Sequence, residues 1–355
     1  MNLTDQPARV RQGEELDVKA VETFLKDRIP GLSGGVVVEQ FPSGYSNLTY
    51  LIRIGARELV LRRPPFGRKA KTAHDMGREF RILSALQPVY PYGPRPLVYM
   101  EDETVLGSPF YVMERIRGII LRRDLPAGLE FTPDQMRTLC ERLLQVHLEL
   151  HSIDYRAVGL AGFGKPEGYV RRQVEGWSER YRQARTPDAP AFEQVMQWIH
   201  ERMPPDSPKP AIIHNDFKLD NVVLNPENPL EIIGVLDWEM ATIGDPLMDL
   251  GCSLGYWIQR DDPPDLLAVR RFPTHLPGVP TRAEVALRYA EKAGIAIDHL
   301  DFYVCFGFFR LAVIVQQIYY RFYHGQTRDE RFKPLILSVQ TLERAALRIV
   351  NAGGL

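Results

Sequence analysis

The apolar pattern of this chain changes period along its length, and that change restricts the fold more than any other feature. From about Val36 to Met113 the apolar residues fall in short β-rich runs, "GGVVVEQF", "SNLTYLIRI", "RELVLRR" and "SPFYVMERI", separated by turn residues. One helical segment interrupts them. In "KTAHDMGREFRILSAL", Met76, Phe80, Leu83 and Leu86 share a helical spacing, and the Pro-rich "QPVYPYGPRP" ends it. After Gly118 the pattern is mainly helical. "TPDQMRTLCERLLQVHLELHSI" opens with a Thr cap and carries Leu139, Leu143, Val146 and Leu150 along one face. Strands first and helices after predict an α+β fold, and 355 residues with 45% hydrophobic content suffice for two lobes.

Charge and composition exclude several partners. Lys plus Arg number 44 against 45 Asp plus Glu, a formal charge of -1, so no global field draws the chain to nucleic acid or to an acidic membrane surface. The expectation is no nucleic acid and no membrane partner. "FYVCFGFFRLAVIVQQIYYRFY" is apolar, but Arg310, Gln316 and Gln317 interrupt it, and it reads as a buried helix. The N-terminus lacks the apolar core of a secretory signal, and Cys140, Cys252 and Cys305 form neither a metal spacing nor an even disulfide set. A reducing, cytoplasmic location is expected.

Within the helical part, only Ala211 to Leu236 returns to short strands, and there the polar groups concentrate. In "AIIHNDFKLDNVVLNP", His214, Asp216 and Asn221 match H-x-D-x-x-x-x-N, in which the Asp takes a proton from a substrate hydroxyl and the Asn ligates magnesium. Strand-like runs enter and leave the motif. A third run, "LEIIGVLDWE", delivers Asp237 sixteen positions after the Asn, where a second magnesium ligand would arrive. Magnesium prefers hard oxygen ligands and keeps substrate phosphates in its shell, so this pair needs no closed protein cage.

"HNDFKLDN", "VLDWE" and "GDPLMDLG" resemble the aminoglycoside phosphotransferase and choline kinase-like superfamily, small-molecule relatives of the protein kinases. The likeness is closer to the kinase-like domains found alone in bacteria or fused to acyl-CoA dehydrogenases, through "VLRRPP", "REFRIL" and "FFRLAVI", and it covers nearly the whole chain. The resemblance implies a bilobal protein-kinase-like fold: a β-rich N-terminal lobe over residues 1–113, a hinge at 114–118 and a mainly helical C-terminal lobe over 119–355. It also implies transfer of the γ-phosphoryl of ATP, or alternatively GTP, to a hydroxyl of a small molecule, with Mg2+.

The remaining parts follow from that resemblance. Arg62 in "RELVLRRPP" stands where such enzymes carry a lysine on the third strand, with Glu79 as its helical partner. Arg63 competes for the role, and strand alternation turns only one of the two toward the cleft. "FPSGYSNLTY" sits where a phosphate-covering loop belongs. It has one glycine, Gly44, so Ser43, Ser46 and Asn47 would have to help. Glu114 and Ile116 would offer backbone groups to the adenine. Asp249 is expected to accept backbone N–H groups of the catalytic loop, with His214 as a packed support, and Lys218 either neutralises the transferring phosphoryl or is solvated.

The acceptor is less defined. Tyr256, Trp257 and Tyr320 lie with arginines on the later helices, which disfavours a polycationic antibiotic and points to a hydroxylated acyl compound. Arg310 either pairs with a carboxylate of its own fold or binds an anionic group of the acceptor. Two other patterns carry little: "GCSLG" matches a nucleophile elbow but reads as helix, and "HLELH" has zinc-like spacing without a third ligand. The alternative of another class is a catalytically inactive kinase-fold protein that binds a nucleotide or metabolite.

Overall fold

The structure, a computed structural model, describes residues 3–41, 47–65 and 75–352. The chain divides into two compact units. The first holds Met1–Ile120, Val158–Leu160 and Asn221–Ala241; the second holds Leu121–Ala157, Ala161–Asp220 and Thr242–Leu355.

The first unit is built on an antiparallel sheet of β1 (Val36–Gln40), β2 (Leu48–Ile54), β3 (Arg57–Arg63), β4 (Pro96–Met100) and β5 (Phe110–Glu114), ordered β1-β2-β3-β5-β4. Side-chain alternation divides its faces. Tyr50, Ile52 and Ile54 of β2, Leu59 and Leu61 of β3, and Phe110 and Val112 of β5 form a core with Val21, Phe24 and Leu25 of helix α1 (Val18–Arg28). On β5 the alternate residue Tyr111 meets Phe80 of helix α2 (Met76–Leu86) at 6.3 Å, and Phe80 stacks on Tyr99 of β4 at 5.7 Å. Strand β7 (Val222–Leu224) pairs with β8 (Ile232–Val235), and Ile119 and Leu224 exchange backbone bonds of 2.9 and 2.8 Å.

Periodicity alone leaves out three elements. Helix α1 precedes the strand-rich stretch and is capped by Asp17, whose Oδ1 accepts from Ala20 N at 3.0 Å. β4 lies inside the Pro-rich stretch, and Pro96 is tolerated because it opens an edge strand, where a missing N–H costs no ladder bond. β9 (Thr242–Gly244) is three residues long and finds its partner, β6 (Ala211–Ile213), far back in the chain.

The second unit is helical around that β6–β9 pair. It contains α3 (Pro133–Ser152), α4 (Tyr169–Ala184), α5 (Glu193–Glu201), α6 (Pro246–Gly255), α7 (Pro264–Ala268), α8 (Arg282–Ala293), α9 (Leu300–Tyr323) and α10 (Leu335–Ala352). Thr132 caps α3 in a reciprocal box with Gln135, and Leu139, Leu143, Val146 and Leu150 are all buried. "GCSLG" lies inside α6, where Ser253 donates to the Asp249 carbonyl at 3.2 Å, so there is no strand–turn elbow. α9 is long and apolar enough to cross a membrane by length and composition, and 78% of its most apolar window is buried inside the fold. α6 and α9 touch backbone to backbone: a Cβ on Gly251 would stand 2.5 Å from the Tyr303 carbonyl oxygen, and one on Gly307 would collide with the Gly251 carbonyl.

This contact predicts that Gly307→Ala destabilises the protein by about 2–3 kcal/mol in urea unfolding, because overpacking outweighs the roughly 1 kcal/mol that Ala gains over Gly in a helix. Gly162→Ala, whose Cβ meets nothing within 4 Å, serves as the control and should shift stability by less than about 0.5 kcal/mol. Equal effects at the two sites would contradict the packing account.

Candidate active site

In the first unit the charged groups gather around Arg62. Val222 pairs with Val235, so Asn221 and Asp237 leave the same end of the β7–β8 hairpin, and Leu236 N donates to Asn221 O at 2.7 Å. Asp237 then adopts a left-handed conformation with φ 66°. Arg62 Nη1 donates to Glu79 Oε1 at 2.7 Å and Nη2 to Asp237 Oδ1 at 2.9 Å, with Glu239 Oε2 at 3.6 Å. Burial works against the guanidinium's charge, but the attraction of Glu79 and Asp237 holds its pKa well above the ordinary value. Arg63 faces the other way. Its Nη1 donates to Leu106 O at 3.0 Å on the α1 side of the sheet.

Glu239 was not singled out from the sequence, although a carboxylate two positions after Asp237 was a usable signal. It accepts from Asn47 Nδ2 at 2.7 Å. Asn221 and Asp237, with Glu239 beside them, offer the hard oxygen donors that suit Mg2+. Ser43, Gly44 and Ser46 lie outside the described residues. Glu114 has its N–H committed to Arg95 O at 2.9 Å, so an adenine edge there would have to use its carbonyl, while the Ile116 side chain fills the space over Gly234.

In the second unit the catalytic-loop candidates are organised by Asp249, fully buried in α6. Its oxygens accept from His214 N and Asn215 N, both at 2.7 Å, and meet His147 Nε2 at 3.0 Å and His151 Nε2 at 3.1 Å. Burial would raise this carboxyl, but the two histidines and their bonds pull it well below the usual range. A carboxylate only accepts, so each imidazole carries its proton on Nε2. His151 Nδ1 is then free to accept from the Tyr289 hydroxyl at 2.7 Å. Burial, reinforced by His151, lowers His147 to about 4 and keeps it neutral. The third partner missing from "HLELH" is therefore Asp249. The candidate ligand atoms lie within 4.8 Å of one another, but the hydrogen bonds already satisfy the cluster without an ion.

Asp216 follows at once. Lys218 Nζ is 2.9 Å from its Oδ2, and the Tyr256 hydroxyl donates to its Oδ1 at 3.2 Å. Lys218 is also 3.7 Å from Asp220 and 5.0 Å above the Tyr256 ring. Burial disfavours its charge, yet Tyr256, Asp216 and Asp220 hold its pKa well above normal. His214 is buried, and its Nδ1 accepts from Asp216 N at 3.3 Å.

An apolar cavity lies beside this loop, lined by Leu143, Leu144, Lys218, Tyr256, Trp257 and Phe272 among others. Trp257 anchors through Nε1 to Pro280 O at 2.8 Å. Tyr320 is not brought to that cavity; it packs on His324 near the end of α9 at 4.2 Å. Arg310 is buried, lies 5.0 Å over the Trp177 ring, and donates through Nη2 to the Asn215 carbonyl at 2.6 Å. Burial opposes its charge, but Cys252, Tyr256 and the Asp216 carboxylate hold its pKa above the ordinary value.

The chain resembles several known proteins. The model of the phosphotransferase enzyme family, APH, matches residues 37–287. Acyl-CoA dehydrogenase family member 10 of Mus musculus is 38% identical over 89% of this chain and 30% of its own length. Acyl-CoA dehydrogenase family member 11 of Rattus norvegicus is 32% identical over 98% of this chain and 45% of its own. The chain thus spans less than half the length of these curated relatives. A Ralstonia eutropha crystal structure described as a candidate aminoglycoside phosphotransferase superposes with TM-score 0.76 at 28% identity, covering 94% of this chain and 99% of that one. The chain belongs to the APH family of phosphotransferases, with a kinase-like α+β fold.

Proposed function

We propose that the protein is a Mg2+-dependent kinase that moves the γ-phosphoryl of ATP to a hydroxyl of a small molecule, with Asp216 as the base. The observation that carries this reading is the Asp216 carboxyl group, held between the Lys218 ammonium at 2.9 Å and the Tyr256 hydroxyl at 3.2 Å. A carboxylate so oriented can take the acceptor's proton as the acceptor oxygen bonds to the γ-phosphorus and the β–γ bridging oxygen leaves on ADP. Lys218, an obligate cation at this site, opposes the negative charge of the transferring group. Arg62, oriented by Glu79, supplies the positive charge that would face the donor phosphates. Asn221 and Asp237, with Glu239 near, would hold Mg2+, which when bound would neutralise phosphate charge.

For the acceptor we infer a hydroxyacyl compound. The cavity beside Lys218 and Tyr256 is lined mostly by apolar side chains, which supports an acceptor whose hydroxyl-bearing carbon continues into an apolar chain. The acyl-CoA dehydrogenase names of the relatives agree with acyl chemistry.

Asp216→Asn should slow magnesium-dependent release of phosphate from ATP by about 10²-fold or more while leaving ATP affinity within about twofold, because a general base contributes 10²–10⁴. Turnover within about threefold of the parent would remove Asp216 from that role. Asp237→Ala should weaken ATP binding in calorimetry only when magnesium is present, since this carboxylate acts through the ion. An equal loss in chelator would make Asp237 a partner of Arg62 and nothing more.

A further inference from the structure

Asn215, the residue before Asp216, is held at three points. It sits in the left-handed region with φ 61°, a conformation that glycine tolerates freely, asparagine moderately and alanine poorly. Its N–H donates to Asp249 Oδ1 at 2.7 Å, its carbonyl accepts from Arg310 Nη2 at 2.6 Å, and its side-chain Oδ1 accepts from the Tyr169 hydroxyl at 3.1 Å. The three donors and acceptors come from α6, α9 and α4. Burying the Arg310 guanidinium is costly, and one of its terminal nitrogens is committed to the Asn215 carbonyl, while Cys252, Tyr256 and Asp216 favour its charge.

That carbonyl belongs to the peptide plane that leads into Asp216. Rotating the plane would swing the Asp216 Cα–Cβ bond away from Lys218 and Tyr256, which hold its two oxygens. We propose that Asn215 is a positioning residue, kept left-handed by Asp249, Arg310 and Tyr169 so that the Asp216 carboxylate points at the acceptor hydroxyl. This inference rests on the reading of Asp216 as the base. It makes Arg310 a support of the loop rather than a contact of the acceptor.

The test uses the full chain with γ-labelled ATP and Mg2+, water being the phosphoryl acceptor, and reads the phosphate-release rate at saturating ATP together with ATP affinity and the urea midpoint. Asn215→Ala should lower the rate by about 10–100-fold, the cost of a misplaced reacting group, with ATP affinity within about twofold. Asn215→Gly, which regains the left-handed region, should keep the rate within about threefold to fivefold of the parent. Equal loss in both variants, or no loss in either while Asp216→Asn is inactive, overturns the inference and leaves the base assignment standing. An Asp216→Asn protein as active as the parent overturns both together. Should Asn215→Ala fail to fold, Tyr169→Phe decides: a rate about threefold or more below the parent at unchanged ATP affinity supports the clamp, and an unchanged rate refutes it.

Discussion

The second unit depends on one buried anion. Asp249 has no exposed surface, and a bare carboxylate there would cost several kcal/mol of solvation. Four N–H groups offset that cost, two from the loop at His214 and Asn215 and two from the His147 and His151 imidazoles on α3. His147, lowered to about 4 chiefly by burial, brings no second charge to be buried. The same carboxylate therefore fixes the backbone ahead of Asp216 and ties α3 to α6. Deleting it would leave buried donors unpaired and loosen the loop at its start.

In the first unit the corresponding constraint is the Arg62 fork. One terminal nitrogen meets Glu79 and the other Asp237, which a single ammonium could not do with the same fixed planar geometry. Arginine in place of the more usual lysine thus binds helix α2 and the end of the β7–β8 hairpin to one strand. Asn47 extends the network by holding Glu239, whose carboxylate would otherwise compete freely for the same guanidinium.

Much of this was legible in the sequence because it is local. The strand-to-helix change of period, the H-x-D-x-x-x-x-N spacing and the alternation that separates Arg62 from Arg63 all lie within a few residues of their own signals. What was not legible arises from long-range partners or backbone conformation. "HLELH" shows two histidines on one helix face, but nothing in its spacing says that Asp249, about a hundred residues on, accepts from both. Asn215 reads as an ordinary polar residue until its φ is known, and Arg310 reads as a stray charge until its carbonyl partner is in view. β4 is concealed by the prolines that an edge strand tolerates.

The most direct test of the central claim is to incubate the full chain with Mg2+ and ATP against a panel of hydroxy acids, hydroxyacyl thioesters, amino alcohols and sugars, measuring ADP release and acceptor mass. The account predicts that at least one hydroxyacyl compound accelerates ADP release and emerges carrying one phosphate on its hydroxyl. Tight nucleotide binding with no accelerated ADP release and no phosphorylated product across the panel would contradict it, and would make the chain a kinase-fold binding protein instead.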